Sequence, residues 1–128
     1  MAWVYVVIAL SLIEYFVFVM AVGRARGRFG VAAPATSGNP DFERVYRVQM
    51  NTLEQLIIFI PSIWIFGSFV SPVWAAGLGL VFVIGRALYA IGYAKAARKR
   101  SLGFAIAGLP LMILMVGSLI GAVLAALR

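Results

Sequence analysis

The chain contains no cysteine and no histidine, and only four of its 128 residues are acidic. Without cysteine there is neither a disulfide nor a thiol nucleophile. Without histidine there is no serine–histidine–aspartate triad, no zinc site of the usual kind and no histidine-ligated haem. Charge is scarce altogether: 12% of the residues are charged and 64% are apolar, whereas a soluble domain has about 25% and about 45–50%. With a mean hydropathy of +1.04, so much apolar surface cannot be hidden in one water-soluble core of this size. The composition therefore describes a membrane protein whose chemistry must rest on Arg, Tyr, Glu, Asn, Gln or a bound cofactor.

What the chain does have is long apolar runs. Four are long enough to cross a bilayer, which takes about 20 helical residues each: 3–23, 42–70, 73–94 and 102–127. The first is broken only by Glu14 and the third only by Arg86, while the fourth carries no charge. The second is amphipathic at its start and turns predominantly apolar from Leu53 onward, with Glu54 its one charged residue there. The first run lacks the basic leader and small-residue cleavage site of a signal peptide, so it reads as a retained span. These runs predict an all-α, integral membrane four-helix bundle forming a single domain over residues 1–128, without repeats. Between the first two spans RARGRFGVAAPATSGNPDFER reads as a loop, since glycine, proline, serine and asparagine punctuate it. It closes on Asn39 or Asp41 as the N-cap of the next helix, with Asp41 and Glu43 in the favoured first turn.

The net charge of +7 is unevenly placed. Arg24, Arg26, Arg28, Arg44, Arg47, Lys95, Arg98, Lys99 and Arg100 lie at one end of the spans, and only Arg128 at the other. The positive-inside rule puts that basic end in the cytoplasm and both termini outside. A basic rim against anionic headgroups explains the high pI without any nucleic acid. Trp3, Trp64 and Trp74 fall near the outer ends of spans, as interface anchors do. Pro61 and Pro110 are expected to kink their helices. Gly77, Gly79, Gly85, Gly92, Gly117 and Gly121 are expected to allow close helix contact.

The polar residues near the membrane carry the functional signal. In FERVYRVQMNTLEQL, Glu43, Arg47, Asn51 and Glu54 step by four, four and three and form one helical stripe. In the third span Arg86, Tyr89 and Tyr93 repeat that spacing, and Arg100 returns to the same face if the helix runs on. Surface ion pairing accounts for Glu43, Arg44 and Lys95. Arg47, Asn51, Glu54, Tyr89 and Tyr93 are different, because ionisable and polar groups are expensive in a membrane and usually serve a site. Arginine forks suit carboxylates, Glu accepts from an ammonium, and Asn, Gln and Tyr suit amides. This inventory fits a small zwitterionic anion containing amides, such as glutathione, and equally an amino acid or a lipid headgroup. The metal-ligand inventory is empty enough that no metal is expected.

The run NPDFERVYRVQMNTLE, preceded by VGRARGRFGV and followed by IGRALYAIGYAKAARKR, resembles the membrane-associated proteins in eicosanoid and glutathione metabolism, the MAPEG family. Within that family it is similar to the microsomal glutathione transferases of the second type and to leukotriene-C synthase, from about Val22 to Gly103. The resemblance implies a homotrimer of four-helix protomers with glutathione as co-substrate between adjacent subunits. It also implies a glutathione transferase, with possible glutathione-dependent peroxidase activity, acting on lipophilic electrophiles or lipid hydroperoxides in detoxification. Carried residue by residue, Arg26, Arg47, Gln49, Asn51, Glu54, Tyr89 and Tyr93 fall on glutathione-contacting positions. Arg100 falls on the catalytic arginine beside the sulfur. Two positions depart from the synthase: Gly27 replaces an arginine proposed as proton donor, for which Arg28 is a candidate substitute, and Gln55 replaces a tyrosine. Both departures count against leukotriene synthesis specifically.

Two other readings compete. One relative of this family binds lipid without glutathione chemistry. Small multidrug transporters also have four short spans and a glutamate in the first, a place Glu14 occupies. The strong basic bias and the charged stretch from Phe42 to Glu54 do not fit a dual-topology transporter. Glu14 is instead expected to meet a polar partner inside the assembly, with Arg86 as one candidate.

Overall fold

In a computed structural model, which describes residues 1–95 and 100–128 with the side chain of Ala94 left aside, the chain folds into four helices. These are α1 (Ala2–Phe29), α2 (Pro40–Phe69), α3 (Pro72–Lys95) and α4 (Ser101–Ala126). All four are long and apolar enough to cross a membrane. Arg98 and Lys99 of the basic connection lie outside the described residues. Helices α2 and α3 are central, each packing against all the others.

The helix boundaries follow from local chemistry. Asn39 caps α2, its Oδ1 accepting from the backbone N–H of Asp41 at 2.9 Å and of Phe42 at 3.1 Å. Pro40 then takes the first helical position, where its missing N–H costs nothing. At the other end of α2 the N–H groups of Val70 and Ser71 both reach the Phe66 carbonyl. Ser71 in turn caps α3, its Oγ accepting from the Trp74 N–H at 3.2 Å. A turn this short forces α2 and α3 to run antiparallel.

Helix α1 continues six residues beyond the expected end of the first span, so RARGRF is helical rather than loop. Tertiary burial overrides the weak propensity of Gly23 and Gly27. Val22 and Ala25 are buried and Phe29 is partly buried, at spacings of three and four, against Phe42, Val45 and Tyr46 at the start of α2. Gly30 ends α1 with φ +68°, a left-handed conformation that glycine adopts without penalty. Two arginines, Arg26 and Arg28, occupy the last turn, where positive charge suits the helix dipole.

The main core lies in the apolar part of the bundle. Val4, Phe59, Ile63, Phe82 and Leu114 are fully buried there, and the rings of Phe59 and Phe82 stack at 4.0 Å. Ser118 lies 2.6 Å from the Ser62 carbonyl of α2 and 2.5 Å from the Leu114 carbonyl of its own helix. Its single proton serves one or the other. Pro61 and Pro110 sit inside unbroken helices. The outward surface is rich in exposed Ile, Leu, Val, Phe and Trp, Trp3, Trp64 and Trp74 among them, as contact with lipid requires.

Glycines set the closest contact. A methyl group on Gly85 would strike the backbone of Ala107, and one on Gly103 the backbone of Tyr89. Gly85 and Gly103 thus bring the backbones of α3 and α4 together. Gly103 had no place among the expected contact glycines, because its packing role is set by a partner 14 residues away in sequence. Gly79, Gly117 and Gly121 face side chains of neighbouring helices, whereas Gly77, expected at a contact, faces open space. Substituting Gly85→Val or Gly103→Val should cost at least about 1–3 kcal/mol, the usual range for overpacking, because backbone cannot give way as a side chain can. Thermal unfolding of detergent-solubilised protein should show a large loss for both and no loss for Gly77→Ala.

Candidate functional site

The basic end of the bundle holds a cavity of about 380 Å³ between α2, α3 and the start of α4. That lies toward the lower end of the range for small-molecule sites, about 300–1,000 Å³. Arg47 and Asn51 line it from α2, Tyr89 from α3, and Arg100, Ser101 and Phe104 from the beginning of α4. Two guanidinium groups therefore face one space. Beside them Asn51 keeps a buried side-chain oxygen with no partner among the described residues. A ligand with carboxylates for the arginines and an N–H for that oxygen would complete the set.

Arg47 and Asn51 reach one cavity because four residues separate them on a continuous helix. Glu54, on the same stripe, is not among the lining residues and pairs with Arg47 at 3.5 Å. Both side chains are about half exposed, at 50% and 56%, so the pair orients Arg47 more than it stabilises the fold.

Helix α3 is described to Lys95 and Arg100 is the residue before α4, so the expected continuation of the α3 helix to Arg100 lies outside the described residues. The Arg100 guanidinium carbon stands 5.7 Å from the Tyr93 ring centre. Tyr93 itself does not line the cavity. Its ring lies parallel to that of Tyr89, 5.5 Å away with planes 6° apart.

Arg26 and Gln49 are placed elsewhere in the single chain. Arg26 donates to the Ala35 carbonyl at 2.7 Å and lies 5.0 Å from the centre of the Phe42 ring, tying the α1–α2 connection to the bundle. Gln49 donates from Nε2 to the Tyr15 hydroxyl of α1 at 3.2 Å. Arg28 faces a separate cavity with Phe29, Asp41 and Val45. At the start of α2, Arg44 forms an ion pair with Asp41.

Deeper in the bundle Arg86 is completely buried. Its Nη2 donates to Thr52 Oγ1 of α2 at 2.7 Å, and its guanidinium carbon lies 4.2 Å from the centre of the Tyr89 ring. Its Nε and Nη1 have no hydrogen-bond partner among the described residues. Glu14 on α1, with Arg86 its candidate partner, forms no ion pair among the described residues. Sequence reasoning singled out neither Thr52 nor Ser101 nor Phe104. Thr52 lies one position off the polar stripe, and an apolar Phe104 carries no polar signal at all.

A polar stripe on α2, a tyrosine face on α3 and a basic junction into α4 thus meet around one cavity. The family model for the MAPEG family matches residues 4–120. This chain belongs to the MAPEG family. Among its relatives, an uncharacterized protein of Synechocystis is 53% identical over 92% of the chain and 86% of the relative. Human microsomal glutathione S-transferase 2 is 43% identical over 86% of the chain and 76% of the relative. Bovine leukotriene C4 synthase is 41% identical over 65% of the chain and 55% of the relative. Family membership covers the whole bundle, since residues 4–120 run from the first turn of α1 nearly to the end of α4.

The exposed Arg47–Glu54 pair gives this MAPEG chain a clean separation of site from scaffold. Glu54→Gln should change unfolding free energy by less than about 1 kcal/mol, measured by thermal denaturation. Any larger loss of ligand binding in that variant then reports the orientation of Arg47 rather than misfolding.

Proposed function

We propose that the protein is a membrane glutathione transferase that activates the glutathione thiol for attack on lipophilic electrophiles. Reduction of lipid hydroperoxides by the same thiolate is a companion activity. The observation that carries this reading is the convergence of Arg47, Asn51, Tyr89 and Arg100 on one cavity at the basic end of an otherwise apolar bundle. Relatives named as glutathione S-transferases and leukotriene C4 synthase support it.

Glutathione has two carboxylates, an ammonium and two amides. Arg47 would take a carboxylate, Asn51 an N–H or ammonium, and Glu54 would orient Arg47 or meet the ammonium itself. Arg100 would stand beside the sulfur. A free thiol titrates near ~8.5, so only a few per cent is thiolate at neutral pH. A guanidinium against the sulfur favours the anion, and a lowering by two units corresponds to about 2.7 kcal/mol of differential interaction. The released proton passes to solvent, and the thiolate forms the new carbon–sulfur bond as the electrophile's leaving group departs with the bonding pair, or as its activated bond opens to an anion that takes a proton from solvent. The second substrate, being apolar, would arrive through the lipid against the exposed helix faces.

We further infer a homotrimer with glutathione between adjacent subunits. This would give Arg26, Gln49 and Tyr93 roles that the single chain does not display. The basic end, with the cavity, would face the cytoplasm and both termini the opposite side. The distribution of nine cationic residues against one supports that orientation.

Purified protein mixed with glutathione should give a saturable ultraviolet thiolate signal at neutral pH that Arg100→Ala abolishes. Arg47→Ala should weaken glutathione binding by about tenfold to a hundredfold, the equivalent of one charge-assisted contact, as read by calorimetry. Glutathione binding without thiolate in the wild type would replace the enzyme with a lipid-binding relative. No glutathione binding in folded protein would overturn the reading altogether.

A further inference from the structure

Arg100 carries the proposed chemistry, yet little on its own helix holds it. It precedes α4, its side chain makes no capping hydrogen bond, it is exposed, and it has no salt bridge among the described residues. A free arginine side chain has about 2 kcal/mol of rotamer entropy, so a group that must sit beside a sulfur needs an external guide. The only aromatic face recorded against its guanidinium, among the described residues, is that of Tyr93. The Tyr93 ring is in turn parallel to Tyr89, and Tyr89 is buried with the Arg86 guanidinium against it. Arg86 is anchored to α2 through Thr52.

Resting on the transferase reading above, we propose that Arg86 is a positioning residue. Through the stacked rings of Tyr89 and Tyr93 it fixes where the Arg100 guanidinium stands. The column runs Arg86, Tyr89, Tyr93, Arg100, with successive separations of 4.2, 5.5 and 5.7 Å. Its first three members climb one face of α3 at spacings of three and four, and the fourth joins from the next helix. The buried end is rigid because Arg86 is enclosed by packed helices and bonded across to α2. The outer end is otherwise free to wander. Guanidinium groups lie well on aromatic faces, and the attraction grows where water is excluded. Parallel aromatic rings add a preferred geometry of their own. Arg86 has no place among the cavity-lining residues, so it does not itself touch a bound sulfur.

A purely structural role for Arg86, as a tie between α2 and α3, predicts something different. It would lower stability on substitution and leave the chemistry of any surviving protein untouched. The discriminating readout is the apparent pKa of the glutathione thiol bound to the protein, from thiolate absorbance titrated against pH, set beside the glutathione dissociation constant. Arg86→Gln and Tyr93→Leu should each raise that pKa by about one unit, which from a bound value two units below the free thiol is about a threefold loss of thiolate at neutral pH, and Arg86→Gln should do so with the dissociation constant changed less than about threefold. Tyr93→Phe keeps the ring and should rescue most of the Tyr93→Leu defect.

Arg86→Gln and Tyr93→Leu titrating like the wild type would overturn the positioning role, as would Tyr93→Phe failing as badly as Tyr93→Leu. The latter would assign the effect to the hydroxyl. If Arg86→Gln does not purify as folded protein, the two Tyr93 variants decide. A wild type that binds glutathione without forming thiolate sinks the transferase reading and the positioning role together. Wild-type thiolate that none of the three variants alters sinks the positioning role alone.

Discussion

The architecture turns on the contact between the backbones of α3 and α4. Gly85 against Ala107 and Gly103 against Tyr89 leave no room for a methyl group between the helices. In a membrane the lipid is as apolar as the side chains, so association gains little from hydrophobic burial and relies on close packing. This particular contact also does local work. It presses the first turn of α4 against Tyr89, which brings Arg100, Ser101 and Phe104 to the same cavity as Arg47 and Asn51. A wider separation of the two helices would open that wall.

The second constraint is electrostatic. A fully buried arginine in an apolar bundle is costly unless its charge and donors find company. Arg86 has one hydrogen bond to Thr52 and a ring face at Tyr89, while two of its nitrogens have no partner among the described residues. Such incomplete satisfaction is uncommon in scaffold positions, where a well-packed apolar residue often serves at least as well. Its retention makes sense where the cation does something an apolar residue cannot. Lying against an aromatic column that ends at the site is such a task.

The two ends of the bundle differ in kind. Around Met1, Trp3, Pro72 and Val73 the surface is apolar and aromatic. Around Arg47, Asn51, Tyr89 and Arg100 it is cationic and amide-bearing. Between them the helix faces are greasy and exposed. On the proposed function, a hydrophilic co-substrate would meet the charged end and a lipophilic one the wall of hydrocarbon.

Much of this was legible along the chain. Four apolar runs, an N-cap at Asn39 or Asp41 of which the structure uses Asn39, the polar stripe on α2 and the basic bias follow from residue order, because helix periodicity and bilayer thickness are local rules. The motif resemblance carried the family, and the family model matches it. Packing decided the rest. Helix α1 outlasts its glycines because Val22, Ala25 and Phe29 find a partner surface on α2. Gly103 matters and Gly77 does not, since only the first meets a neighbouring backbone. Thr52 gained its role from an arginine 34 residues away, and Arg100 meets the Tyr93 ring from the residue before α4. Periodicity records which residues share a face of one helix. It cannot record which face meets which, because that choice is made by contacts distant in sequence.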